Sequence, residues 1–98
     1  MEIIKTLNND VLTVKVNGEL NTSTYEELEK SISESIKGVN TLVFDFEKLE
    51  YISSAGLRVL LVAKKALDSN GRMIVRNANK SIMDIFEITG FVNVLEFE

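Results

Sequence analysis

Tyr51-Ile52-Ser53-Ser54-Ala55-Gly56-Leu57-Arg58-Val59-Leu60-Leu61 joins an apolar run to a helical pattern through two serines and two very small residues. The spacing predicts a helix over Ser53–Ser69. Leu57, Leu60, Leu61 and Leu67 make one apolar stripe, and Val59, Val62, Ala63 and Ala66 make an adjoining one. A stripe this wide belongs to a helix covered over much of its surface. Asn70-Gly71 supplies a stop. Free backbone N–H groups and the helix dipole favour negative charge at the start of such a helix. A hydroxyl there is therefore either a cap or a phosphorylation switch, and the residues alone favour the cap. Ala55 and Gly56 add little bulk, so a partner could approach the backbone closely. Gly56 also reads as a close helix contact that tolerates no side chain.

Upstream, Thr41–Phe46 carries Leu42-Val43-Phe44, then Asp45 and Phe46. A nearly continuous apolar run predicts a central strand buried on both faces. Asp45 stands near its C-terminal end, along the edge where open parallel sheets place ligand sites, and is expected to be structural or to line a site. The segment Glu47–Ile52 then delivers the chain to the helix start. Further back, Glu2–Leu7 is a weak strand, Asn8-Asn9-Asp10 a turn, and Val11–Gly18 a strand with Leu12, Val14 and Val16 on one face. The short loop makes these two a hairpin. Thr22-Ser23-Thr24 offers caps, with Glu26 and Glu27 three residues after Ser23 and Thr24. Tyr25, Leu28, Ile32 and Ile36 follow on one helical face, and Lys37-Gly38 is a stop.

Downstream, Arg72–Arg76 is a short strand. Asn79 caps a helix carrying Ile82, Ile85, Phe86 and Thr89 that ends at Gly90. Val92–Phe97 reads as a final strand. The predicted order is β-β-α-β-α-β-α-β, an α/β domain over residues 1–98 with a mixed, mostly parallel sheet and helices packed on it. Met83, Phe86 and Phe91 could form a partner groove, but core packing is the expected use.

Composition removes several chemistries. The chain has 98 residues, 45% hydrophobic and 27% charged, which fits one folded domain with a single core. It has no Cys and no His. That leaves no thiolate, no disulfide, no phosphohistidine and neither of the commonest metal ligands. A formal charge of −4 argues against a nucleic-acid backbone binder. No apolar run reaches the ~18 residues of a membrane helix, and Met1–Lys5 does not begin a signal peptide, so a cytoplasmic protein is expected. Asp10, Asp45, Glu47 and Glu50 could hold magnesium only if folding gathered them, since no acidic doublet stands at a strand end. Isolated glycines exclude a standard nucleotide loop. No cofactor and no metal are expected.

The combination resembles the bacterial anti-sigma factor antagonists of the STAS domain type. The segments that carry the resemblance are Gly18-Glu19-Leu20-Asn21, Leu42–Phe46, Tyr51–Leu57 and Ile85–Phe91, in the family's order over nearly the whole chain. The resemblance implies a STAS-like fold and a partner switch. The unphosphorylated antagonist binds an anti-sigma factor that is also a serine kinase and frees sigma. Phosphorylation releases the antagonist, and a serine phosphatase resets it. The resemblance places the acceptor at Ser54. It implies docking residues at Asn21 and Thr22, at Ser53, Ser54, Ala55 and Gly56, and at Arg58. Many members carry Asp where this chain has Ser53 and Asn21, which makes Ser53 the alternative acceptor. No enzymatic activity is implied, and a monomer is expected. Two other readings are a STAS scaffold that is never phosphorylated and a magnesium-dependent phosphoryl-transfer enzyme using Asp45.

Overall fold

Leu42, Val43 and Phe44 are all buried, and the strand they form lies at the centre of the sheet. In the computed structural model, which describes residues 1–98, β1 (Glu2–Asn8) and β2 (Val11–Leu20) form the expected antiparallel hairpin. Asn8 pairs with Val11, so the loop is only Asn9-Asp10, with Asn9 at φ 57°. Asn tolerates that conformation better than most residues. β3 (Thr41–Asp45) runs parallel to β2 on one side and to β5 (Arg72–Arg76) on the other. β6 (Glu96–Phe97) extends the sheet beyond β5, giving the order β1-β2-β3-β5-β6.

The helices α1 (Tyr25–Ser35), α2 (Ser54–Ala66) and α3 (Lys80–Thr89) supply one core with the strands. Leu12, Val14, Leu42, Phe44, Met73 and Val75 of the sheet meet Leu28, Ile32, Leu57, Leu60, Ala63, Ile82 and Phe86 of the helices. Phe86 sits among Phe46, Phe91 and Phe97, with ring centroids 6.5, 6.3 and 5.4 Å away. The aromatic cluster is therefore core and not a groove. Asn79 caps α3 as expected, its Oδ1 accepting from Ile82 N–H at 2.9 Å.

Four local expectations are corrected. A strand, β4 (Leu49–Ile52), precedes α2 and pairs in parallel with the far end of β2. It exists because β2 runs two residues past Gly18 and past β3. There the register shifts between Gly18 and Glu19, with Gly18 at φ +98°, a bulge that glycine accepts without Cβ strain. Secondly, α2 stops at Ala66, short of Ser69. Leu67 turns extended, with ψ 153°, and its side chain returns to the core. Thirdly, the last strand is only Glu96–Phe97, because Phe91–Asn93 forms a 3₁₀ turn whose bonds carry Leu95 inward. Lastly, Thr24 occupies the N-cap of α1 but its side chain bonds no helix amide, so no capping box forms.

Candidate functional site

The start of α2 is held by the strand that the sequence did not reveal. Leu20 of β2 pairs with Ile52 of β4, and Ser53 N–H donates to Leu20 C=O at 2.9 Å. Gly56 then lies directly on that pair. A Cβ on Gly56 would stand 2.7 Å from Leu20 Cγ and 2.8 Å from Ile52 Cγ1. Its small size thus serves the core and does not open the backbone to a partner.

One serine takes the N-cap and the other the next position, as expected, but no side-chain cap bond forms. Ser53 is at the N-cap, with φ −96° and ψ 177°, and its C=O accepts the first helical bond from Leu57 N–H at 3.0 Å. Its hydroxyl makes no cap bond, has no partner and is buried. Ser54, the first helical residue, is exposed. Nothing acidic occupies the first turn of α2, so the positive end of its dipole is unneutralised by side chains.

The chain between β2 and α1 forms the facing wall. Asn21 Oδ1 accepts from Ser23 N–H at 2.9 Å, and Asn21 N–H donates to Thr24 Oγ1 at 2.9 Å. Thr24 Oγ1 donates back to Glu19 C=O at 2.9 Å. These bonds hold Thr22 outward and leave Asn21 occupied within the turn. A cleft of about 660 Å³ results, lined by Thr22, Tyr25 and Glu29 on one side and Ser54, Ala55, Arg58, Val59 and Val62 on the other. The Tyr25 hydroxyl donates to Glu26 Oε1 at 3.1 Å. That hydrogen bond and the Glu26 charge raise the phenol above its ordinary value, with smaller contributions from burial and Glu29, while Arg58 opposes them. Arg58 takes part in none of the molecule's three ion pairs, Arg72–Glu96, Arg76–Glu98 and Lys80–Asp84.

Of the residues expected to dock a partner, the cleft gathers Thr22, Ser54, Ala55 and Arg58. Asn21, Ser53 and Gly56 are not on its walls. Tyr25, Glu29, Val59 and Val62 were missed. Val62 belongs to the apolar stripe of α2 yet is 46% exposed, whereas Tyr25 packs partly against the core and also lines the cleft. Asp45 does not line the cleft either. Its Oδ1 accepts from Glu47 N–H and Asn77 Nδ2, each at 3.1 Å, which ties the ends of β3 and β5 together. Asp10, Asp45, Glu47 and Glu50 are not gathered into an acidic cluster that could hold a metal. No helix is long and apolar enough to cross a membrane.

A family model described as the STAS domain matches residues 2–98. This chain belongs to the STAS domain family. The STAS chain is 36% identical over 86 residues to BtrV of Bordetella bronchiseptica, named for an anti-sigma factor antagonist role, covering 86% of this chain and 74% of the relative. It is 31% identical over 84 residues to the anti-sigma-B factor antagonist of Staphylococcus aureus, covering 84% and 78%. Among solved structures, the fold matches an anti-sigma factor antagonist from Mycobacterium paratuberculosis with a TM-score of 0.89 at 22% identity, over 98% of this chain and 83% of the other. It also matches the anti-sigma factor antagonist SpoIIAA in its unphosphorylated form, with a TM-score of 0.78 at 21% identity, over 99% and 87%. Both of these STAS relatives are named as anti-sigma factor antagonists.

Proposed function

We propose that this STAS protein is an anti-sigma factor antagonist in a cytoplasmic partner-switching system, with Ser54 as its phospho-acceptor. The observation that carries the reading is the contrast between the two serines. Ser54 is exposed on a cleft wall, whereas the Ser53 hydroxyl is buried. A kinase reaches Ser54 Oγ without opening the fold, and reaches Ser53 only by unwinding the helix start. The unphosphorylated protein binds an anti-sigma factor that is also a serine kinase and thereby frees sigma. The kinase transfers the γ-phosphoryl group of ATP to Ser54 Oγ, with release of ADP and the hydroxyl proton. A serine phosphatase hydrolyses the ester and resets the switch.

The physics suits local control. The phosphate adds about −1.5 to −2 charges and three acceptor oxygens at a helix N-terminus, where the fold tolerates them. An interface built against a neutral Ser54 must desolvate that charge. A loss of ~3 kcal/mol weakens binding by about two decades without any change of fold. SpoIIAA, of the same fold, has been solved in a phosphorylated form as well as an unphosphorylated one.

Incubation with the anti-sigma kinase and ATP, followed by phosphopeptide mapping, tests the reading. One phosphate on Ser54, absent from Ser54→Ala, is expected. Full modification of Ser54→Ala would sink it, and stable binding with no phosphate transfer would make the protein a scaffold instead.

A further inference from the structure

We propose that Arg58 is an intramolecular latch for the phosphoryl group on Ser54, an inference that rests on Ser54 being the acceptor. Arg58 is one helical turn after Ser54, both side chains line the same cleft, and Arg58 has no ion-pair partner. Side chains on a helix lean toward its N-terminus, so a long residue at i+4 covers the position of residue i. An acid placed N-terminal to a base at this spacing is also the more favourable orientation. The guanidinium fork matches phosphate oxygens in a bidentate geometry.

None of the cleft's other charged and titratable groups forms an ion pair with this cation. Glu29 and the Tyr25 hydroxyl with its Glu26 partner face it from α1, and Arg58 is the one cation on the cleft walls. Before modification Arg58 is a free cation beside Ser54, available to a partner's carboxylate. After modification it turns onto its own phosphate. Phosphorylation therefore changes the docking surface twice: it adds an anion and withdraws the cation.

The test uses the full chain with phosphoserine installed at position 54 by genetic encoding, so no kinase is needed. The readout is the second pKa of the phosphate, followed by ³¹P NMR at low ionic strength. Arg58→Gln is expected to raise that pKa by about 0.3 unit or more, since the lost cation favours the dianion. Arg58→Lys keeps most of the depression, and Lys65→Gln at the other end of α2 leaves it unchanged. In the otherwise native chain, phosphorylation shifts the Arg58 Nε–H resonance. Equal phosphate pKa values in the native and Arg58→Gln chains overturn the latch, as does an equal shift from Lys65→Gln. Failure of the kinase to modify Ser54 would remove the proposed function while leaving this measurement intact.

Discussion

Replacing Gly56 with alanine tests whether the start of α2 is seated as tightly as its geometry requires. The added methyl would stand 2.7 and 3.0 Å from Leu20 Cγ and Cδ2 and 2.8 Å from Ile52 Cγ1. Carbon atoms rest at about 3.5–4.0 Å, so both neighbours must move by several tenths of an ångström. Leu20 and Ile52 are 0% and 2% exposed, so neither side chain can relieve the contact by moving into solvent. Overpacking of this kind costs about 1–3 kcal/mol. Alanine returns at most about 1 kcal/mol of helix propensity, and less in a first turn. The expected net loss is about 1–2 kcal/mol, or a melting temperature lower by about 5–15 °C for a domain of this size. Urea denaturation is the assay, with a lower midpoint and an unchanged slope. Adding Leu20→Ala should recover part of the clash, so the double variant loses less than the sum of the single losses. A Gly56→Ala protein as stable as the native one, or strict additivity with Leu20→Ala, would refute the packing argument.

Three other substitutions have defined expected outcomes. Ser54→Asp puts an acid at the unneutralised end of α2, so thermal melting should show a gain of about 0.3–1 kcal/mol at low salt. In calorimetric titration the same variant should bind the anti-sigma kinase about 100-fold more weakly, through a loss of ~3 kcal/mol, and unchanged binding would contradict the switch. Asn79→Ala removes both the cap to Ile82 N–H and the bond from Nδ2 to Leu49 C=O, at 2.9 and 3.1 Å, and should cost about 1–2 kcal/mol in chemical denaturation. The hydrogen bond from Arg72 holds the Glu96 carboxyl below the usual carboxylate range. The pair's contribution is then present at neutral pH and lost as pH falls through that lowered value. Glu96→Gln should therefore flatten the acid limb of a stability–pH profile, and an unchanged limb would show that the pair is uncoupled from folding.

The hairpin, the buried central strand, β5, the Asn79 cap and all three helices are legible in the sequence. Each is written in local periodicity or in a single turn residue. β4 is not, because Glu50 and Tyr51 are both exposed and leave no alternating pattern. Its existence depends on a bulge at Gly18, some thirty residues earlier. The site was half legible. Ser54 was visible as a helix start, and Thr22 and Arg58 entered only through the family resemblance. Tyr25 and Val62 were hidden, because a helical stripe marks apolar residues whether or not a neighbour covers them. The width of the α2 stripe was the available signal: a second helix covers only part of it.

By itself the sequence determined the layer architecture and the chemistry that could operate. Its periods of two and about 3.6 specify strands and helices, and the absence of His and Cys removes whole classes of site. Only the tertiary structure showed which of the two serines is exposed. Adjacent in sequence and identical in type, they differ because Ser53 N–H is tied to Leu20 of a distant strand and Gly56 seats the helix on that strand. That seating turns one hydroxyl inward and leaves the other on the cleft wall, a difference set by contacts between segments remote in the chain.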